Sequence, residues 1–427
     1  MDLPITTAEL DALRDASTRA LPAFLADLET LVDIDCGSYT KAGVDVVGGW
    51  VAARFAELGA SVEVRPHASF GDTVIGTFEG ADPDGPTVLC IGHMDTVFGE
   101  GTAAERPFSV DDLGIARGPG VTDMKGGLLT GVYAIAALRS ALGGLPLGRL
   151  IYVANPDEEI GSPTSTPHIL ALAPSADVAL VLECARANGD IVSSRKGIMS
   201  LTVTIHGRAA HAGVEPEKGR SAILEAARIV GDLHALNGRY PGVTFNVGVI
   251  HGGTRPNVVA ERCELEVDVR AVTREGLEAA EASVLEVLAA TVVPDVTIHQ
   301  VVTHRWWPME KLDRSGRLVE RAVELASRLG FDLRDTATGG ASDGNTTAGI
   351  GVPTIDGLGP IGGLDHSPGE YLEVSSIVPR TTLLAALLAS IGRDPEVASW
   401  RRERLAGGRA SAAAGAGSAA GAGSAAR

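Results

Sequence analysis

Val88-Leu89-Cys90-Ile91-Gly92-His93-Met94-Asp95-Thr96-Val97 is the stretch on which the fold turns. It opens as an apolar run, the composition of a strand buried on both faces of a parallel sheet. The run ends in a histidine and an aspartate two residues apart, and strand residues at that spacing point to the same side. Ligands of open α/β sheets collect beyond the carboxyl ends of the strands, which is where this pair falls. A neutral imidazole is a common zinc ligand, and an aspartate beside it can orient the ring or hold charge near a metal. A plain histidine hydrogen-bonded at a strand end has the same local sequence. Further ligands at other strand ends decide between the two.

Such residues follow. Gly118-Pro119-Gly120-Val121-Thr122-Asp123-Met124-Lys125-Gly126-Gly127 is a glycine-rich turn before an apolar helical stretch, Leu128 to Leu142. Asp123 reads there either as a helix N-cap or as a ligand. Leu150 to Ala154 is a second buried strand, running into Asn155-Pro156-Asp157-Glu158-Glu159-Ile160-Gly161. Val178 to Leu182 is a third, ending in Glu183. Gly362-Gly363-Leu364-Asp365-His366-Ser367-Pro368-Gly369-Glu370-Tyr371 puts a histidine in a loop before the last helix. Each feature alone has a bland reading, as a solvated acidic loop or a structural histidine. The ordered set is specific.

With these motifs in this order, the chain resembles the zinc exopeptidases of peptidase family M20, most closely their glutamate carboxypeptidase branch, over roughly Leu21 to Ile391. The resemblance implies two zinc ions per subunit bridged by Asp123, one also held by His93 and Glu183, the other by Glu159 and His366. It further implies Glu158 as general base and Asp95 as the residue that holds His93 in place. Elementary chemistry agrees with that assignment. Two metal ions about 3.5–4 Å apart need a bridging anion, and a short aspartate suits that place. Three carboxylates against two dications leave positive charge that acidifies a water, whose pKa zinc lowers from 15.7 to about 7. The neighbouring side chains of Glu158 and Glu159 diverge, which leaves Glu158 free for proton transfer. Nitrogen and oxygen donors without thiolate fit zinc, and cobalt or manganese would also fit.

Element order gives the fold class. Residues 1–196 read as α/β, with a central, mostly parallel sheet covered on both faces. Residues 197–304 then follow a strand, helix, strand, strand, helix, strand order, which resembles a ferredoxin-like α+β insert. Residues 305–395 resume the catalytic domain, and 406–427 are Ala/Gly/Ser low complexity, expected to be disordered. The insert resembles the family's dimerisation domain. That resemblance implies a homodimer and gives His211, in Ala210-His211-Ala212-Gly213, a place in the partner's active site, where it would bind the oxyanion. Asn257 and Arg270 resemble substrate-contacting positions. Arg270, closing an apolar strand, is expected to clamp a substrate carboxylate unless a protein anion pairs with it. Arg305 is a second candidate. Gly340 and Ser342 belong to a loop expected to approach the substrate closely.

Composition narrows the function. A formal charge of −18 argues against a nucleic-acid partner. No uninterrupted apolar run reaches about 18 residues, so no membrane span is expected. The N-terminus lacks a basic and apolar leader, and cytoplasm is the expected location. Cys36, Cys90, Cys184 and Cys263 show no paired spacing and are expected to be core thiols, with Cys90 facing away from His93. The leading expectation is a dizinc hydrolase that releases a C-terminal, glutamate-like amino acid from a small peptide or N-acyl amino acid, using a zinc-activated water. The alternative is an N-acyl-amino-acid deacylase of the acetylornithine deacetylase and succinyl-diaminopimelate desuccinylase kind. In that branch the glycine-rich loop continues Ser-Asp-Ala-Arg, whereas here it reads Ser342-Asp343-Gly344-Asn345. A catalytically inactive binding protein is a third reading, opposed by the complete ligand set.

Overall fold

The computed structural model describes residues 3–406. The low-complexity segment expected to be disordered lies, from Gly407 onward, outside the described residues. The chain divides into two compact units. The first comprises residues up to Ser193, Lys311–Thr336 and the part from Ile350 on. The second comprises Ser194–Glu310 and Ala337–Gly349.

The first unit is built on a six-stranded sheet, in the order Ser61–Arg65, Thr73–Glu79, Arg149–Asn155, Thr87–His93, Val178–Val181, Thr354–Ile355. The last four run parallel and the first two antiparallel. This is the α/β class read from the sequence. Side chains alternate across the central strand as strand geometry requires. Val88 and Cys90 enter one core, while Leu89 and Ile91 enter the other. Cys90 therefore does point away from the face that carries His93. All four cysteines are buried and free.

Helices Thr7–Val32, Gly126–Leu142 and Val374–Gly392 pack on the Cys90 side. The first starts with a reciprocal cap, Thr6 accepting from the Glu9 backbone while the Glu9 carboxylate takes the Thr6 N–H at 2.8 Å. Among the described residues, Val374–Gly392 is the one helix long and apolar enough to cross a membrane. It is instead buried without a break from Thr381 to Gly392, which is what a helix apolar all round becomes inside a large core.

A second, small antiparallel sheet fixes the last motif. Tyr371–Glu373 pairs with both Gly362–Gly363 and Ile115–Arg117, in the register Tyr371 opposite Arg117. The loop with His366 and the turn with Asp123 are thereby joined at their roots. Sequence reading did not find this sheet.

The second unit contains strands Gly197–His206, Thr244–Gly252, Arg262–Ala271 and Thr297–Trp306 with helices Ala222–Ala235 and Arg274–Ala289. That is the expected strand–helix–strand–strand–helix–strand order. The sheet is antiparallel, and one face is covered by both helices in an apolar core. Residues 337–349, read from sequence as part of the resumed catalytic domain, cluster with this unit. Asn345 explains the attachment, since its amide donates to the carbonyls of Lys196 and Trp307 at 3.0 and 2.8 Å.

Candidate metal centre

His93 is the last residue of its strand and is 1 % exposed. Its Nδ1 lies 2.9 Å from the Asp95 backbone oxygen and 3.4 Å from the Asp95 carboxylate. The carbonyl is the nearer partner, so Nδ1 donates to it and Nε2 is turned to the carboxylates, a donor while it holds its proton and a ligand once it loses it. Nε2 sits 3.1 Å from Asp123 Oδ1 and 3.7 Å from Glu183 Oε1. On the other side of Asp123, Oδ2 is 3.2 Å from His366 Nε2, which is also 3.0 Å from Glu159 Oε2. Two histidine–carboxylate groups result, His93–Asp123–Glu183 and Asp123–Glu159–His366, and they share one aspartate, oxygen by oxygen.

Local structure explains the convergence. Gly127 lets the helix after Asp123 press on the strand end beside Glu183, since a Cβ there would stand 1.8 Å from the Leu182 oxygen. Asp123 itself does not cap that helix, whose first position follows Lys125. The capping alternative therefore falls. The peptide between Asp123 and Met124 is cis. His366 has φ 61°, the left-handed region uncommon for a residue with a Cβ.

The carboxylate of Asp95 does more than face His93. It accepts the backbone N–H groups of Glu158 and Glu159 at 3.1 and 3.2 Å and the Ser38 hydroxyl at 2.6 Å. It thus holds the short turn Glu158–Ile160. Lys125, fully buried, donates to the Pro119 and Ile34 carbonyls at 3.1 and 3.4 Å. Glu370 accepts three backbone N–H groups of the Asp123 turn. None of Ser38, Lys125 or Glu370 was singled out from the sequence. Lys125 and Glu370 act through the backbone and Ser38 through a carboxylate 57 residues away, and no residue pattern announces either.

The electrostatics are those of a cation site. Burial favours a neutral His93, but Glu183, Asp123 and Asp95 outweigh it and hold its pKa well above the usual range. Bonds to Asp123 and Glu159 lift His366 to about 10 against burial. Burial pushes Asp123 up, yet His366 and His93 prevail and hold it well below the ordinary carboxylate range. Burial raises Glu159. Protons on two histidines thus balance three clustered carboxylates, a role divalent cations fill with nitrogen and oxygen donors of this kind.

The remaining expected residues lie in the second unit. His211 is exposed, and its Nδ1 accepts the Gly213 N–H at 3.2 Å. The Asn257 carbonyl accepts from Ala212 at 3.0 Å. Arg270 already has an anionic partner, pairing with Asp268 at 2.9 Å and donating to the Gly339 carbonyl at 3.1 Å. Arg305 pairs with Glu281 and lies over the Trp307 ring. Gly340 is exposed, and its carbonyl takes an Arg195 N–H at 3.2 Å. Ser342 is 1 % exposed, its hydroxyl accepting from Gly344 at 3.1 Å, which makes it a turn residue in this structure.

Shared histidine–carboxylate groups at the carboxyl ends of a parallel sheet define a metallohydrolase-type chain. The profile of peptidase family M20/M25/M40 matches residues 89–390, and the chain belongs to that family of hydrolases. It is 31 % identical over 391 residues to carboxypeptidase G2 of Pseudomonas sp. (strain RS-16), covering 90 % of this chain and 92 % of that protein. It is 27 % identical over 298 residues to succinyl-diaminopimelate desuccinylase of Dechloromonas aromatica (strain RCB), covering 65 % and 75 %. Its fold matches an M20 family metallo-carboxypeptidase of Sulfolobus solfataricus with TM-score 0.68 at 15 % identity, over 86 % of this chain and 99 % of that one.

Proposed function

We propose that this hydrolase uses two divalent cations, zinc by preference, to release a C-terminal, glutamate-like amino acid from a small peptide or N-acyl amino acid. The observation that carries the reading is Asp123, whose two oxygens face two separate histidine–carboxylate groups. His93 and Glu183 would hold one cation with it, Glu159 and His366 the other. When bound, the cations would polarise the scissile carbonyl and lower the pKa of a water into the neutral range. Glu158 would serve as the general base, taking a proton from the attacking water and returning it to the leaving nitrogen. Asp95 fixes the tautomer of His93 and the turn that presents Glu158.

Substrate class rests on similarity. The higher identity to carboxypeptidase G2, 31 % against 27 % for the desuccinylase, favours the peptidase branch over the deacylase branch, as does Asn345 at the end of Ser342-Asp343-Gly344-Asn345. Deacylation of N-acyl amino acids is the second reading, favoured by the desuccinylase match. Asn257 and Arg270 are carried as substrate-side residues by resemblance to the family, Arg270 provided a substrate carboxylate displaces Asp268, and Arg305, Gly340 and Ser342 by the sequence pattern alone. A homodimer formed through the inserted unit, with His211 serving the partner's site, is also carried by resemblance, whereas a cytoplasmic location is carried by the reading of the N-terminal sequence.

The test couples metal analysis to hydrolysis of folyl-glutamate, dipeptides and N-acyl amino acids. Glu158→Gln should retain both equivalents of metal and lose turnover by about 10²–10⁴-fold. Near-normal turnover would remove Glu158 from its role, and no hydrolysis by the metal-loaded wild type across the panel would favour a binding protein.

A further inference from the structure

Glu370 lies four residues beyond His366, is 1 % exposed and belongs to neither histidine–carboxylate group. Its Oε1 accepts the backbone N–H groups of Thr122 and Asp123 at 2.9 and 3.0 Å, and its Oε2 accepts that of Gly120 at 2.9 Å. The turn it grips has irregular dihedrals, φ −115° and ψ 92° at Asp123 and φ −128° and ψ 36° at Met124. Gly120 takes the left-handed conformation at φ 72°. Such a backbone cannot satisfy its own N–H groups through a regular ladder, and orphaned buried donors are costly. A carboxylate from a segment about 250 residues away in sequence supplies the acceptors instead.

The position of that carboxylate has a second effect. Asp123 and His366 stand 3.2 Å apart on two different loops. The pairing of Tyr371 with Arg117 joins those loops at their roots, and Glu370 ties them again next to the donor atoms. A rotation of the Asp123 backbone would swing one carboxylate oxygen off its group, since the two oxygens are fixed relative to each other.

We propose that Glu370 is a positioning residue, a strut that orients Asp123 so that each of its oxygens faces its own histidine–carboxylate group. The inference rests on the two-cation reading above. Outer partners of metal ligands that set ligand orientation are worth about 10–100-fold in metal affinity.

Glu370→Gln tests it, because the amide keeps one acceptor and turns a donor toward the Gly120 N–H. Metal-stripped full-length chain is titrated with Zn²⁺ and with Co²⁺ against a competing chelator, and the melting of the metal-free chain is followed in parallel. Wild type should take up two equivalents. The variant should bind one or both equivalents at least about tenfold more weakly, with an altered cobalt absorption spectrum. Its kcat should fall more than its KM changes, and its metal-free melting midpoint should stay close to wild type. Glu370→Asp, which keeps two acceptors one methylene shorter, should recover part of the affinity, and it stands in if the glutamine variant does not fold. Two equivalents bound at wild-type affinity by Glu370→Gln would overturn the proposal. So would affinity lost only in step with a large drop in metal-free melting, which marks a merely structural residue. Failure of the wild type itself to bind two equivalents would instead strike the two-cation reading and take this inference with it.

Discussion

At the residue scale, the site is a set of groups that exchange protons for cations. His366 carries a pKa lifted to about 10 by Asp123 and Glu159, and His93 is held well above its usual value despite burial. Both are protonated in the metal-free chain at neutral pH, so each must lose a proton when a cation takes its place. Metal affinity should therefore rise with pH through neutrality and weaken as pH falls. Calorimetric titration in buffers of different ionisation heat measures the release directly, and binding without proton release at pH 7 would contradict the description. The sign for the fold runs the other way. Raised histidine values mean that these ion pairs stabilise the metal-free chain fully below about pH 6.5, a contribution lost as pH climbs through the folded values. The ligand types at this scale were legible, since a histidine or acid at the end of an apolar run is a local signal. The residues that hold ligands through backbone N–H groups were not. Asp95 reads as the partner of His93, yet its carboxylate is spent mainly on Glu158, Glu159 and Ser38.

At the element scale, one close approach brings strand and helix ends together. Gly127→Ala would drive a Cβ into the Leu182 oxygen, where a backbone atom cannot yield as a flexible side chain does. Overpacking of this kind costs about 1–3 kcal/mol or more. The variant should melt lower than wild type and bind metal more weakly, because the displaced helix carries Asp123 away from Glu183. Unchanged melting and affinity would mean the helix finds another seat. Long elements were readable for a clear reason: Gly197–His206 alternates buried and half-buried residues along almost its whole length, and Thr87–His93 is buried throughout. The small sheet that carries His366 escaped because its strands are two or three residues long, too short for any period to register. Residues 337–349 cluster with the other unit for a related reason, as their attachment is made by side-chain hydrogen bonds of Asn345, Arg195 and Arg270 and not by an apolar pattern.

For the whole molecule, the apolar content goes into cores. The long apolar helix Val374–Gly392 is an interior element. The chain folds as two compact units, one holding all seven residues of the candidate centre and the other holding His211. If His211 serves a partner copy, mixing His211→Ala with His93→Ala should regain activity that neither variant has alone, up to about a quarter of wild type when subunits mix at random and each mixed dimer keeps one intact site. Hydrolysis by the mixture measures it. No recovery after subunit exchange has been verified by mass or labelling would mean that His211 does not complete another subunit's site.

The shared position of Asp123 also orders events in time. Counted along the chain, His93, Asp123 and Glu183 are all present within the first half, whereas the group of Asp123 and Glu159 waits for His366. A chain emerging from the ribosome N-terminus first would expose the complete set for one cation long before the other. The edge strand of the sheet, Thr354–Ile355, its long interior helix and the last ligand of the second donor group thus all arrive with the same late stretch of the chain.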